Sequence, residues 1–161
     1  MSAMDEKALK SDLEIESDRL SLKVLNDFAI ELISMNDPEA LVWYVAREVV
    51  GELGFVDCVI YLLNQNNDVL QQVAATGEKN PQNFEIKNLL EIPVGSGITG
   101  HVAKTGQAVI IDDLLHDDRY IADIESARSE ICVPLLYGEK LLGVIDCEHP
   151  EPGFFGPIHL E

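Results

Sequence analysis

Three acidic residues lie within the two apolar segments near the end of the chain, SEICVPLLYGEKLLGVIDCEHP. Glu130 opens the first segment, Asp146 and Glu148 close the second, and Gly138-Glu139-Lys140 joins them. Carboxylates at the ends of such strands have two possible environments. They are either exposed to solvent or clustered, in which case their charges repel one another and a bound cation relieves the repulsion. Clustered acids would therefore bind a positively charged small molecule, such as an amine or an amino acid.

The register of this hairpin decides whether the acids meet. A three-residue loop would place Glu130 opposite Glu148 and Cys132 opposite Asp146, with all four side chains on one face of the sheet. A two-residue loop would place Glu130 opposite Cys147 and divide the acids between the two faces. The sequence leaves both registers open.

Each acid also has a structural alternative, which is a solvated strand end or an ion pair with Arg119 or Arg128. Arg119 and Tyr120 belong to a long connection, residues 112–128, that precedes the hairpin. Arg119 can pair with Asp113 or with the carboxylate of a ligand. Tyr120 can cover a pocket or anchor the connection.

The other candidates for chemistry follow weaker patterns. The three cysteines are odd in number and lack CxxC spacing, which favours a reducing compartment and argues against a disulfide framework or a zinc site. The four histidines lack ligand-like spacing, so no metal site is predicted. Gly95-Ser96-Gly97 precedes a short helix, but no lysine follows, so a tight turn is preferred to an anion site.

Composition excludes several classes of partner. The 161 residues carry a formal net charge of −18, which disfavours nucleic acids and anionic membrane surfaces. No apolar run is long enough for a membrane span, and the acidic amino terminus lacks the apolar segment of a signal peptide. We therefore expect a cytoplasmic location, without a nucleic-acid or membrane partner.

The first element that positions these residues is a long predicted helix over residues 5–34. Ile15, Leu22 and Ala29 recur every seven residues, which favours pairing with a helix of a second chain. Asp18 interrupts that seam, so a helix lying on its own domain is the alternative. The pattern leaves the two open.

The remaining elements predict an α+β fold with an antiparallel sheet. Asp37 and Pro38 start a second helix, which extends to about Leu53. The elements expected after it are a hairpin of Phe55–Leu63 and Val69–Gly77, a polar loop at 78–90, a short strand, glycine turn and helix at 92–106, a strand at Ala108–Asp112, the long connection and the final hairpin. Connections as long as 112–128 tend to be functional.

The sequence resembles the GAF domain in four segments. These are Ile92–Asp113, Asp117–Tyr120, the final hairpin and Phe154-Phe155. The resemblance covers residues 38–161, and leaves 1–37 as a separate helix for signalling and dimerisation. It implies a PAS-like fold, with a central antiparallel sheet, flanking helices and a small-molecule pocket. GAF domains are usually regulatory units upstream of kinases, cyclases or transcription activators. The resemblance therefore implies a cytoplasmic signalling protein that pairs as a homodimer through its terminal helices, with the carboxyl-terminal helix truncated.

One GAF branch, the free methionine sulfoxide reductases, is similar in its SEI-VP segment and in the acids at the end of the last strand. That similarity implies a ligand-binding role for Glu130, Asp146 and Glu148. The positions of the branch's redox cysteines hold other residues here: Thr99, Val109 and Asp123. Because a reductase needs a thiolate nucleophile, catalysis is not expected, and Asp123 adds an acid near the pocket mouth.

The sequence thus predicts a non-catalytic, small-molecule-sensing regulatory GAF domain. The residues predicted to contact the ligand are Glu130, Asp146, Glu148 and Asp123, supported by Arg119 and Tyr120. The alternative is a GAF domain without a ligand that serves only to dimerise. The Cys-His pair of bilin-binding GAF domains and the NKxnFx3DE motif of the cyclic-nucleotide subgroup are absent, so no cofactor is assigned.

Overall fold

The computed structural model describes residues 19, 22–23, 26–31, 33–49, 55, 57–64, 66, 68–77, 86, 89–120 and 127–160. The chain divides into two compact units, Met1–Leu41 and Val42–Glu161. Residues 26–31 and 33–34 are helical. Most of the long helix predicted over residues 5–34 lies outside the described residues, so its full length stays a prediction. No helix within the described ranges is both long and apolar enough to cross a membrane.

The helix α1, Pro38–Tyr44, begins at the predicted cap. The backbone N–H of Glu39 donates to Asp37 Oδ1 at 3.1 Å, which satisfies one of the free donors at the helix start. A π-helical turn, Val45–Val49, continues it. Residues 50–54, where the helix was expected to end, lie outside the described residues. Trp43, near the end of α1, is buried.

The predicted antiparallel sheet has six strands in the order β3-β2-β1-β6-β5-β4. Every neighbouring pair is antiparallel, which confirms the α+β class with a central antiparallel sheet. A second helix, α2 (Gly97–Thr105), follows the glycine turn after β3. The strands are β1 Asp57–Asn64, β2 Val69–Thr76, β3 Glu91–Pro93, β4 Val109–Ile111, β5 Ser129–Tyr137 and β6 Lys140–His149.

The sheet buries both of its faces, and alternate residues of each strand pack on opposite sides. One side, which we call the α2 face, carries Val59 and Tyr61 from β1 and packs against Val102 of α2. The other side, the Trp43 face, carries Cys58 and Ile60 and packs against Trp43 and Phe155, among others. Within the regular stretches of β1, β5 and β6, alternate buried side chains therefore belong to two separate cores.

The central strands β1 and β6 approach each other closely at Gly143. A Cβ atom on Gly143 would lie 2.0 Å from the backbone oxygen of Tyr61, closer than real Cβ contacts allow. Glycine therefore permits the pairing of Leu62 with Gly143 at this point.

The final hairpin combines the two registers that the sequence left open. Tyr137 pairs with Lys140, so the turn itself has two residues. Leu135 nevertheless pairs with Gly143, which leaves Leu142 as an extra residue on β6. This β-bulge adds the one residue that a three-residue loop would have supplied.

Beyond the bulge, the strands follow the register that brings the acids together. Cys132 lies opposite Asp146, and Glu130 lies opposite Glu148. The alignment of the acids that a three-residue loop would give is therefore found, although the turn itself has two residues.

Candidate functional site

Two adjacent strands place the predicted acids on the α2 face. Cys132 and Val144 belong to the core on this face, so by alternation Glu130, Asp146 and Glu148 lie on the same side. Only 2% of Glu130, 5% of Asp146 and 7% of Glu148 is exposed. The alternative in which these acids end their strands in solvent is therefore wrong, because all three side chains are buried.

A cysteine lies within this group. One ligand atom each from Glu130, Cys132 and Asp146 lies within 4.8 Å of the other two, and all three residues are buried. Cys132 is a free thiol. Burial raises its pKa well above the usual range, and the charges of Asp146 and Glu130 raise it further.

A further carboxylate, which the sequence analysis missed, comes from β1. Asp57 pairs with Glu148 across the β1–β6 ladder and lies on the side of Val59. Asp57, Glu148 and Glu130 thus form one row across three neighbouring strands. An acid inside FVDCVIYLL is visible in the sequence, but its partner strand is not.

These carboxylates have oxygens that can still accept hydrogen bonds. Oδ1 of Asp57, Oε1 of Glu130 and Oδ1 of Asp146 are buried and accept no hydrogen bond, while all three residues make other contacts. Buried polar atoms in this condition are rare in native proteins and call for an explanation, such as a ligand.

The described parts of the long connection, residues 112–120 and 127–128, include side chains that pack over the same face. Leu114, Tyr120 and Ala127 contact the core of the α2 face, and Leu114 is 1% exposed. Tyr120 therefore lies on the side of the sheet that carries the acids, and its role over a pocket stays a prediction. Asp123 lies outside the described residues.

Arg119 pairs with Asp117, so the expected pairing with Asp113 is wrong. Its Nε donates to Asp117 Oδ1 at 2.9 Å and one terminal nitrogen donates to Oδ2 at 2.7 Å. Arg119 and Asp117 are only two residues apart, so the guanidinium reaches a carboxylate within the same turn of the chain. The hydrogen bond with Asp117 raises the pKa of Arg119, and the charge of Glu130 adds to this effect. Arg119 is therefore within electrostatic reach of the acids.

Arg128 closes the base of the connection. It makes two hydrogen bonds with the carboxylate of Asp113, at 3.0 Å from Nε and 2.7 Å from a terminal nitrogen. The N–H of Leu114 donates to the Arg128 carbonyl at 2.7 Å. Arg128 thus holds the two ends of the connection together, and its pairing with a hairpin acid is wrong.

The segment after β6 is tied to the same connection. The Arg128 N–H donates to the His149 carbonyl at 2.8 Å, and the Gly153 N–H donates to the Asp112 carbonyl at 2.7 Å. Phe155 follows and is buried in the core of the Trp43 face. The connection therefore shares its hydrogen bonds with the chain that leaves the sheet.

The Asp113–Arg128 pair predicts a pH-dependent stability. The hydrogen bonds from Arg128 hold the pKa of Asp113 well below its usual range. The contribution of a group with a depressed folded-state pKa is complete above the ordinary aspartate value of about 3.9 and is lost as the pH falls through the folded-state value. We expect Asp113→Asn to lower the Tm modestly at pH 7, and the difference from wild type to shrink below about pH 4.

Thermal unfolding from pH 7 to pH 2 checks this expectation. Asp112→Asn is the matched control, because it removes a neighbouring charge from an exposed side chain. A Tm difference for Asp113→Asn that stays constant over the whole pH range would contradict it.

The cysteines do not form a reductase arrangement among the described residues. Thr99 is buried in α2, and Val109 lies on β4 opposite Cys132. Cys132 and Cys147 belong to opposite faces of the sheet, as the observed register requires. Cys58 lies opposite Cys147, a pairing that the sequence analysis missed. A hydrogen bond with Cys58 and burial raise the pKa of Cys147, which disfavours its thiolate form.

Comparison with known proteins supports the fold. The family profile described as the GAF domain matches residues 35–161. The GAF domain of an Acinetobacter phosphoenolpyruvate-protein phosphotransferase is 22% identical, with a TM-score of 0.72 over 86% of this chain and 82% of that one. The free methionine-R-sulfoxide reductase of Neisseria meningitidis, solved with its substrate, is 24% identical, with a TM-score of 0.71 over 83% of this chain and 75% of that one. Identities this low establish a shared fold alone.

The curated relatives are much longer than this chain. A probable 3',5'-cyclic phosphodiesterase, pde-5 of Caenorhabditis elegans, is 28% identical over 78 residues, which are 45% of this chain and 11% of that protein. The dual 3',5'-cyclic-AMP and -GMP phosphodiesterase 11 of Drosophila melanogaster is 28% identical over 146 residues, which are 84% of this chain and 9% of that protein. This chain therefore matches about a tenth of the length of each.

Proposed function

The chain belongs to the GAF domain family, and from that membership we propose that it is the small-molecule-sensing regulatory part of a cytoplasmic signal-transduction protein. The observation that carries the proposal is the group of buried carboxylates on the α2 face. Family membership alone supports regulation, whereas these acids give the regulator a specific chemistry.

The acids select for positive charge. Burying an ionised carboxylate is costly unless a cation or hydrogen-bond donors compensate it. Glu130, Asp146 and Glu148 lie together, and Asp57 extends their row. An ammonium group offers three N–H donors and a charge that relieves the repulsion. An amine or an amino acid is thus the ligand class that the acids favour.

The surrounding residues favour an amino acid within this class. Arg119 is near enough to Glu130 for the charge of that acid to raise its pKa. A ligand whose ammonium group meets the carboxylates would present its own carboxylate to Arg119. Tyr120, on the same connection, would then cover the ligand. Ligand binding would hold the connection in place and shift a two-state equilibrium of a homodimer paired through its terminal helices.

The proposed role is non-catalytic. Thr99 and Val109 hold two of the cysteine positions of the reductase branch, and Asp123 holds the third. Burial and neighbouring negative charge raise the pKa of Cys132, which disfavours the thiolate that reduction needs. We expect no turnover of free methionine sulfoxide by the purified chain, and measured turnover would overturn this part of the proposal.

A dimerisation module without a ligand is the second candidate. Leu114 favours it, because this bulky side chain of the connection is fully buried in the core of the α2 face, on the side of the sheet where the ligand is proposed to bind. In that case removal of residues 1–35 abolishes the dimer, and no small molecule stabilises the domain.

A thermal-shift screen against amines and amino acids tests the first proposal. A ligand that binds only the native state must raise the Tm. We expect Glu130→Gln and Asp146→Asn each to weaken binding about 10- to 100-fold, since a hydrogen bond to a charged group contributes about 1.5–3 kcal/mol. Glu139→Gln is the control, because Glu139 lies exposed in the hairpin turn. Unchanged affinities in both site variants would refute the assignment.

A further inference from the structure

The part of the site around Cys132 has a donor set that an organic cation does not explain. Glu130 and Cys132 are two residues apart on β5, and Asp146 lies opposite Cys132 on β6. Each residue contributes one ligand atom to a group in which all atoms lie within 4.8 Å of one another. Two hydrogen-bonded strands fix the backbone on which these side chains stand.

The thiol is the distinguishing member of this group. An ammonium ion would satisfy the carboxylates, but sulfur is a weak hydrogen-bond acceptor and adds little to that recognition. In contrast, a divalent metal ion binds thiolate and carboxylate together. It compensates the two acids with two positive charges on one atom, and it makes deprotonation of a coordinating thiol favourable.

A second observation points to a ligand at the same place. Oε1 of Glu130 and Oδ1 of Asp146 are buried and accept no hydrogen bond, although both residues make other contacts. Each oxygen thus has lone pairs available in a region from which water is largely excluded. Cys132 is fully buried beside them as a free thiol.

We propose that Glu130, Cys132 and Asp146 bind a divalent transition-metal ion. The sulfur disfavours Mg²⁺ and Ca²⁺, which take oxygen ligands, and favours ions such as Zn²⁺, Co²⁺ or Fe²⁺. Binding replaces the S–H bond of Cys132 with a sulfur–metal bond and releases one proton to solvent. Zinc bonds to oxygen and sulfur are about 2.0–2.3 Å long, and ligand atoms within 4.8 Å of one another reach these distances with small side-chain adjustments.

Three protein ligands leave a coordination position open. Water or a ligand group fills that position. Glu130 and Asp146 are also proposed to bind an ammonium group, so the metal ion and an organic cation compete for these two acids. The metal site goes beyond the proposed sensing function, because it gives the same acids a second class of ligand that also uses the thiol of Cys132. It also differs from the CxxC-type zinc site that the sequence argues against, since its ligands come from two neighbouring strands.

Titration of the tag-free, chelator-treated chain with Co²⁺ tests the proposal. We expect one equivalent to give a thiolate-to-cobalt charge-transfer band in the near ultraviolet. Cys132→Ser should lose this band, and Asp146→Asn should weaken binding at least tenfold. Cys58→Ser is the matched control and should keep the band, because Cys58 is a buried cysteine on the Trp43 face. No band in the wild type, or a band that persists in folded Cys132→Ser, overturns the proposal.

X-ray absorption by the zinc-loaded wild-type chain decides the question if Cys132→Ser fails to fold. A sulfur scatterer at about 2.3 Å supports the site, and a shell of oxygen and nitrogen alone overturns it. Amine-induced stabilisation, measured in chelator for wild type and Cys132→Ser, tests the sensing function separately. Amine binding that survives without metal leaves that function standing even where the metal site fails.

Discussion

Gly143→Ala is expected to destabilise the domain by about 3 kcal/mol or more, at the upper end for overpacking a core. The added Cβ would lie 2.0 Å from the Tyr61 oxygen, 3.0 Å from the Tyr61 carbonyl carbon and 3.1 Å from the Leu62 Cα. All three are backbone atoms, so no side-chain rotation relieves the contact. The strands β1 and β6 must separate at the middle of the sheet. Loss of glycine's freedom in the unfolded chain offsets only about 0.4–1 kcal/mol.

Urea unfolding followed by tryptophan fluorescence measures this effect. Trp43 is the single tryptophan of the chain and is buried on the sheet, so its emission reports the loss of that packing. Gly156→Ala is the control, because a Cβ at Gly156 meets nothing within 4 Å. A stability of Gly143→Ala within about 0.5 kcal/mol of wild type, the range typical of neutral surface changes, would show that the strands tolerate the contact.

Deletion of Ile145 is expected to abolish both the ligand response and the native fold. Ile145 lies between the bulge and the acids, so its loss shifts β6 by one position from there on. Asp146 then takes the place of Ile145, whose side chain lies on the Trp43 face. Its carboxylate therefore enters the apolar core around Trp43 and Phe155. Burying an unpaired charge in such a core is among the most destabilising changes known.

Deletion of Leu142 is the matched control, and its expected result is the opposite. Leu142 is the extra residue of the bulge, so its loss leaves a regular hairpin in which Leu135 still pairs with Gly143. The alignment of Glu130 with Glu148 is kept. Trp43 fluorescence and the thermal-shift response compare the two variants. A deletion of Leu142 that is as damaging as that of Ile145 would refute the assignment of the bulge.

The elements that the sequence predicted are those set by local patterns. The apolar runs mark β1, β2, β5 and β6, the cap at Asp37 marks the start of α1, and the glycine turn marks α2. Each of these signals lies within the segment that it describes, and the strands agree with the prediction within about two residues, the usual error at element ends.

Non-local pairing accounts for what the sequence could not predict. The bulge at Leu142 depends on where β6 meets β1, because Gly143 fits against Tyr61 at that point. Asp57 joins the acids only because β1 pairs with β6, more than 80 residues away along the chain. The partner of Arg119 was missed for the opposite reason, since the local turn to Asp117 competed successfully with the more distant Asp113.

The hydrogen bonds around Arg128 join two parts of the chain that lie on different sides of the sheet. The connection that packs on the α2 face bonds to the segment after β6 through His149 and Gly153, and that segment enters the opposite core at Phe155. Groups that share hydrogen bonds in this way open and close as one cooperative unit. A molecule that holds the connection in place therefore also holds the chain leaving the sheet. We therefore expect the proposed ligand binding at the acids to affect the Trp43 face through these hydrogen bonds at the sheet edge.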